Sequence, residues 1–381
     1  MGGLFSGIGG FERAFSSLGH ETAYLCEIDE GCRAVLRNRF PGVKIHRDVK
    51  KMRSTSSVDV LTAGFPCQDY SPAGKTAGIK GNQGALFGEI VRLLDTKRPP
   101  KWVVLENVPF ILSLDGGAAM NHIADAFEDL GYRWAYRVVD AISFGIPQRR
   151  KRWIFVASRT EDPRCVLFAD DAPTKIANDA PSAYGFYWTE GNRGLGLASD
   201  AIPPLKVGSA FNIPASPAIW DRKNRQMVTP DIRDAERLQG FPADWTSIMT
   251  GQSPRTRWRL VGNAVSVPTA RWIANRLCDP GTVEVESRPM PVVGWPSAAF
   301  GESRKRREMI ASDRPKPNHF TPILDFLENS AKPLSLRATS GFLARLTRST
   351  LRSPDGFVSD LRHHIETIEI ERLASTSSNA K

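Results

Sequence analysis

Over its first 160 residues the chain alternates short apolar stretches with segments of helical period, and this alternation restricts the fold more than any other feature. Residues 1–5 are a short apolar start. Phe11, Ala14, Phe15 and Leu18 then recur at helical spacing, and Gly19 stands where a helix C-terminal glycine belongs. Residues 22–28 read as a strand, and Asp29 caps a helix running to Phe40, which Pro41 ends. Strand-like stretches return at 43–46, 58–63, 102–106, 133–139 and 153–157, with helical segments at 86–96 and 122–130. This rhythm predicts an α/β fold: a doubly wound, mostly parallel sheet with helices on both faces.

After Ser158 the character changes. As far as about Thr256 the chain is rich in Pro, Gly, Asn and Ser, and it reads as an irregular, loop-dominated second domain. Periodicity returns at 265–277, a helix expected to dock back on the first domain. Residues 281–381 read as an extension, partly helical (322–329, 341–349, 358–373) and partly disordered, with a Ser-rich tail. Its basic cluster at 304–307 reads as a solvated surface run.

The balance of charge bears on partners. Among 381 residues, 51 Lys and Arg face 41 Asp and Glu, a net charge of +10 that favours an anionic partner, nucleic acid being the commonest. No apolar run is long enough to span a membrane, and the N-terminus lacks a signal-peptide pattern. The five cysteines (Cys26, Cys32, Cys67, Cys165, Cys278) are odd in number and never spaced CxxC. That pattern speaks against a zinc site or a disulfide framework and for a reducing compartment.

A nucleotide-type pocket is written into the first three strands. LFSGIGGFE (4–12) is a glycine-rich turn between a strand and a helix. Gly7, Gly9 and Gly10 let the backbone approach a ligand, and the helix N-terminus aims N–H groups at its anionic part. Glu27 ends the second strand, about twenty residues on, where a carboxylate accepts from ribose hydroxyls. Asp48 follows the third strand and is placed to accept from an adenine amino group. Each acid alone is also an ordinary strand-end residue; together they outline a site for an adenosine-containing cofactor. NAD and S-adenosylmethionine both fit at this point.

The fourth strand delivers GFPCQDYS (64–71) to the same sheet edge. Pro66 holds Cys67 rigidly, Gln68 and Ser71 make the loop polar, and the glycine- and lysine-rich stretch that follows reads as a mobile, positive lid. A free thiol titrates near 8.5, so a nucleophilic role needs help from the site. WVVLENV (102–108) ends a buried strand with Glu106 and Asn107. IPQRRKRWIFVA (146–157) sets arginines ahead of another. A cofactor pocket, a thiol, a carboxyl and an arginine on one edge suggest covalent activation of an electron-poor ring.

GFPCQDYS, ENV, QRRKR, RLQGFP and GNAVSVP, in this order after FSGIGG, resemble the ordered motifs of the DNA cytosine-5 methyltransferases of bacterial and phage type. The resemblance covers roughly residues 1–278. It implies a Rossmann-like methyltransferase sheet made of residues 1–160 plus 260–280, interrupted by a smaller target-recognition domain at 161–259. It implies S-adenosylmethionine as cofactor, held by Phe5, Gly7, Gly9, Glu27, Ile28, Asp48 and Asn263, and no metal.

The chemistry implied is addition of the Cys67 thiolate to carbon 6 of cytosine, which makes carbon 5 nucleophilic toward the methyl group. Glu106 would hydrogen-bond ring nitrogen 3 and the exocyclic amine. Arg152 would contact the ring carbonyl oxygen, and Arg150 would support the cysteine side. The base must leave the duplex, at a cost of a few kcal/mol. Pro66, Gln68, Ser71 and Arg237 fall on the DNA side, Arg237 also bracing the second domain.

The same resemblance implies double-stranded DNA as partner, a cognate restriction endonuclease acting separately, a monomer, no membrane, and a cytoplasmic location in a bacterial or phage-infected cell. Three departures stand out, one being a recognition region of only around eighty residues between QRRKR and RLQGFP, which suits a bacterial or phage enzyme. Few residues precede the glycine loop, so the first strand is clipped or the start lies upstream. The lid reads Gly81-Asn82-Gln83-Gly84 where the family carries an acid and an arginine. Two further readings share the scaffold: a tRNA cytosine-5 methyltransferase, and a catalytically silent DNA-binding protein.

Overall fold

Strand and helix alternate as the apolar pattern dictates. The computed structural model describes residues 1–55, 57–66, 84–172, 180–206, 216–249, 251–316 and 320–378. It divides into two compact units, one of residues 1–145, 151–175 and 264–319, the other of 146–150, 176–263 and 320–381.

The first unit is built on a ten-stranded sheet. Its first seven strands are β1 (Gly2–Leu4), β2 (Tyr24–Cys26), β3 (Lys44–His46), β4 (Val60–Ala63), β5 (Trp102–Asn107), β6 (Arg133–Asp140) and β7 (Lys151–Ser158). They lie in the order β3-β2-β1-β4-β5-β7-β6, parallel from β3 to β5, with β7 antiparallel to both β5 and β6. The order reverses between β1 and β4, and an open α/β sheet leaves a ligand crevice at such a switch point, outside the carboxyl ends of its strands.

The helices of this unit are α1 (Gly10–Ser16), α2 (Glu30–Arg39), α3 (Gly84–Leu94), α4 (Ala118–Asp129) and the four-residue α5 (Arg164–Leu167). Asp29 caps α2 as expected, accepting from Cys32 N at 2.9 Å. Helices α3 and α4 bury Phe87, Ile90, Met120, Ile123 and Phe127 against β-strand residues Val103, Leu105, Trp134 and Phe155. The Phe127 and Phe155 rings stand 4.8 Å apart, and each large side chain buried here stabilises the unit by about 1.5–3 kcal/mol.

The second unit carries its own antiparallel sheet. Strands β8 (Ala183–Phe186), β9 (Ala198–Ser199), β10 (Ala218–Asp221) and β11 (Gln226–Thr229) belong to it, with helices α6 (Ile232–Arg237) and α7 (Pro254–Asn263) following. The chain then returns to the first unit through α8 (Val267–Cys278), which packs on α1. Three antiparallel strands, β12 (Ser287–Pro289), β13 (Ala298–Glu302) and β14 (Lys305–Met309), extend the large sheet past β6.

These three strands had no signature in the sequence. The 304–307 cluster, expected as a solvated run, sits at the turn into β14 and along that strand. Arg304 and Arg306 form ion pairs with Asp125, Glu128 and Asp129 of α4. Charge pairing replaces the apolar alternation that would have marked a strand.

Residues 320–378 lie in the second unit. They add α9 (Ile323–Phe326), strand β15 (Lys332–Pro333), α10 (Leu336–Thr347) and α11 (Phe357–Ser378). The sheet order is β15-β11-β10-β8-β9. Phe342, Leu346, Phe357 and Leu361 from the two long helices share a core with Phe186, Trp220 and Met227. The loop-dominated domain expected from composition is therefore a sheet-and-helix unit. Its strands are four residues or shorter, and half of its core comes from the last sixty residues, so no local window shows it.

Candidate active site

The turn after β1 is strained in the way a close backbone approach requires. Phe5, Gly7 and Gly9 all have positive φ, 53°, 54° and 89°. For Phe5 this is an uncommon conformation, and it is held by the bond from Ser6 N to Cys26 O on the neighbouring strand. A β-carbon at Gly10 would lie 2.5 Å from Val265 O, so only glycine lets α1 start against the segment leading into α8. Among the described residues, a β-carbon at Gly7 would meet nothing within 4 Å, so none of them closes that face of the turn.

Glu27 ties this turn to the end of β2. Its carboxylate accepts from Gly7 N and from Asp29 N, both at 2.8 Å, while its own N–H donates to His46 O at 3.0 Å. Burial pushes the Glu27 carboxyl up from its ordinary range, and the two N–H donors partly offset this. Ile28, next in the chain, is 73% exposed, unusual for a large apolar side chain at a strand end. Asp48, two residues past β3, accepts from Lys50 N at 3.0 Å and is half-buried. An open turn of left-handed residues, an anchored carboxylate, an exposed apolar face and a second acid fit an adenosine-containing cofactor.

The carboxyl ends of β4 and β5 bring the remaining candidate residues of the first unit together. A β-carbon at Gly64 would lie 3.2 Å from Val265 Cγ2, 3.7 Å from Glu106 Oε2 and 3.9 Å from Phe5 O. Thus the glycine turn, the β4 end and the Glu106 carboxylate converge on one spot. Arg152 Nε donates to Glu106 Oε1 at 2.8 Å, with the two side chains only 14% and 12% exposed. Asn107 locks the adjoining loop: its Nδ2 donates to Phe65 O at 3.3 Å and its Oδ1 accepts from Val108 N at 2.8 Å. Pro66 follows the buried Phe65 and is itself half-buried. Cys67, Gln68 and Ser71 lie outside the described residues.

Three expected site residues belong to the second unit. Arg150 is 2% exposed and donates to Gly262 O at 3.3 Å. Asn263, the last residue of α7, is exposed. Arg237 is engaged within its own unit, donating to Asp234 Oδ1 at 2.8 Å, Phe326 O at 2.7 Å and Glu328 Oε1 at 2.6 Å. Those bonds are what a bracing residue makes.

One buried acid beside the glycine turn was not singled out from the sequence. Glu12 in α1 is buried, and a β-carbon on Gly3 would land 2.0 Å from its Oε1 and 2.7 Å from Ser6 Oγ. Neither Glu12 oxygen has a hydrogen-bond partner among the described residues, and burial pushes its pKa up to about 7. The signal was there: an acid inside the run Gly10, Phe11, Ala14, Phe15 that α1 buries. Among the described residues no cluster of His, Cys, Asp and Glu could hold a metal, and no helix is long and apolar enough to cross a membrane.

The family model for C-5 cytosine-specific DNA methylase matches residues 1–184 and 198–279. The chain belongs to that family. It is therefore a DNA cytosine-5 methyltransferase, with the α/β sheet that the motif order implied. Type II methyltransferase M2.BsuMI of Bacillus subtilis (strain 168) is 44% identical over 374 residues, 94% of this chain and 96% of that relative. Type II methyltransferase M.MspI of Moraxella sp is 30% identical over 295 residues, 72% of this chain and 69% of its own length. Among solved structures, the S. pombe Dnmt2 methyltransferase matches with a TM-score of 0.53 at 18% identity, over 72% of this chain and 97% of that one, a likeness of fold.

Proposed function

We propose that this methyltransferase takes the methyl group of S-adenosylmethionine and places it on carbon 5 of a cytosine within a specific sequence of double-stranded DNA, using Cys67 as a covalent catalyst. The cofactor, when bound, supplies a methyl carbon made electrophilic by its sulfonium. Phe5, Gly7 and Gly9 would present backbone to it, Glu27 would accept from its ribose hydroxyls, Ile28 would cover its base, and Asp48 would accept from its amino group. Asn263 is the seventh residue assigned to the cofactor.

The observation that carries the reading is the Glu106–Arg152 pair beside Gly64, three residues before Cys67. A flipped-out cytosine meets a donor and acceptor edge there. Glu106 accepts from the exocyclic amine and delivers a proton to ring nitrogen 3, which takes up the electron density, and recovers that proton when the ring is restored. The Arg152 guanidinium keeps further N–H groups for the ring carbonyl oxygen. The Cys67 thiolate adds to carbon 6, and carbon 5 then carries the electron pair that bonds to methyl. Loss of the carbon-5 proton to a base and departure of the thiolate restore the ring. The resemblance gives Arg150 a supporting role for the cysteine, and gives Pro66, Gln68 and Ser71 a role toward the DNA.

Extruding the base costs a few kcal/mol, offset by pocket and backbone contacts. The relatives' names, Type II methyltransferases, support reading the chain as the modifying half of a restriction–modification pair, acting apart from a cognate nuclease in a bacterial cytoplasm. The test supplies methyl-labelled S-adenosylmethionine with duplex DNA or with tRNA, followed by bisulfite sequencing of the DNA. The expected result is label in duplex DNA, at cytosines sharing one flanking sequence. Label in tRNA alone overturns the proposal.

A further inference from the structure

Residues 329–354 contain five cations (Lys332, Arg337, Arg345, Arg348, Arg352) and no Asp or Glu. This is the segment that builds α10, and the family model ends well before it, at residue 279. The M2.BsuMI relative aligns over 94% of this chain, whereas M.MspI covers 72%.

The helix is two-sided. Thr339, Phe342 and Leu346 are buried in the core of the second unit, Phe342 against Phe186 and Phe357. On the opposite side Arg337, Ala344 and Arg348 are exposed, with Gly341 half-buried among them. Eleven residues separate the two arginines, a little over three turns, so they project from the same face about 16 Å apart along the axis. Arg352, also exposed, follows in the loop beyond.

Helix stability does not account for this arrangement. Arg345 is committed to structure, donating to Glu190 O and Trp188 O at 2.8 Å each. Arg337, Arg348 and Arg352 form no ion pair with any carboxylate among the described residues. Arg348 caps the C-terminus, where the helix dipole favours a cation; Arg337 lies in the first turn, where it does not, and no acid accompanies it there. A cation set against the dipole, unpaired, on a face otherwise made of small residues suits a polyanion lying across the helix. A lipid surface would need the apolar side, which the core already occupies.

We propose that the exposed face of α10, with Arg337, Arg348 and Arg352, contacts the phosphate backbone of duplex DNA, and so adds affinity without reading sequence. The inference rests on duplex DNA being the substrate, as proposed above.

The test measures duplex affinity by fluorescence anisotropy from 50 to 200 mM salt, for the wild type, for R337Q/R348Q/R352Q and for R337K/R348K/R352K. Each lost phosphate contact lowers the slope of log affinity against log salt by about 0.9. The Gln triple variant should therefore show a slope smaller by about 2–3, with affinity for target and non-target duplexes falling alike and S-adenosylmethionine affinity unchanged. The Lys variant should keep the wild-type slope. A Gln variant whose slope equals that of a DNA-binding wild type overturns this inference and leaves the substrate intact. A wild type that shows no salt-dependent duplex binding overturns both.

Discussion

Arg152 and Glu106 meet diagonally across strands β7 and β5: Glu106 pairs in register with Ile154, and Arg152, two residues earlier on the same face, reaches its Oε1 at 2.8 Å. The bond orients the carboxylate and leaves Oε2 facing the region around Gly64. Replacing Glu106 by Gln keeps the shape and removes the charge. Single-turnover methyl transfer should fall by about 10²–10⁴-fold with DNA binding largely kept. Arg152→Ala should slow the same step and lower thermal stability, because a mostly buried carboxylate is left unpaired; Arg152→Lys should recover stability better than rate.

Glu27 holds the glycine turn through Gly7 N–H and the entry to α2 through Asp29 N–H. Charge-assisted bonds of this kind contribute roughly 1.5–3 kcal/mol each. Glu27→Ala should weaken S-adenosylmethionine binding by at least ten-fold in a calorimetric titration, while the DNA dissociation constant changes little.

Glu12 predicts a pH dependence of stability. Its carboxyl has an ordinary value of 4.5 and stands at about 7 in the folded chain, because burial disfavours the charge and the Glu27 carboxylate adds to the penalty. A raised carboxyl means the folded state holds its proton longer than the unfolded state. The contribution is present below pH 4.5 and is lost as pH rises through 7, about 3 kcal/mol in all. The facing groups are the Ser6 hydroxyl, Glu27 and the amino group of residue 1. Glu12→Gln should raise the melting temperature at pH 8 and flatten the profile between pH 5 and 8. A variant profile parallel to that of the wild type would contradict this.

Phe342 packs with ring centroids 5.1 Å from Phe186 and 6.0 Å from Phe357, fully buried. Phe342→Ala should cost the second unit about 3–5 kcal/mol. Calorimetry should show an earlier melting transition, with loss of duplex binding ahead of loss of cofactor binding.

The sheet of the first unit was legible because its signals are local. Asp29 before a helical run, Pro41 after it, and Glu27 closing an apolar strand each state their role within a few residues. Glu106 and Arg152 were singled out as motif residues, but not as an ion pair, which depends on register across two strands. The second unit was not. Trp220 Nε1 donates to Asp360 Oδ2 at 3.0 Å, and His364 bonds to Met227 N at 3.4 Å and to Leu334 O at 2.9 Å. Contacts between residues that far apart in sequence leave no periodic trace, so the last sixty residues read as an appendage when they are half of a core. Strands β12 to β14 were hidden for a different reason: side chains facing α4 are matched by charge, as with Arg306 and the buried Glu128 side chain at 3.0 Å.

The covalent role of Cys67 is the central claim, and the most direct measurement is the mass of the protein after incubation with S-adenosylmethionine and a duplex carrying 5-fluorocytosine at the target position. Fluorine cannot leave as a proton does, so the thiolate cannot depart. The account predicts a stable protein–DNA adduct that maps, after digestion, to the peptide containing Cys67. Methyl transfer to ordinary duplex by the same preparation with no adduct on the fluorinated one, or an adduct on another residue, would contradict it.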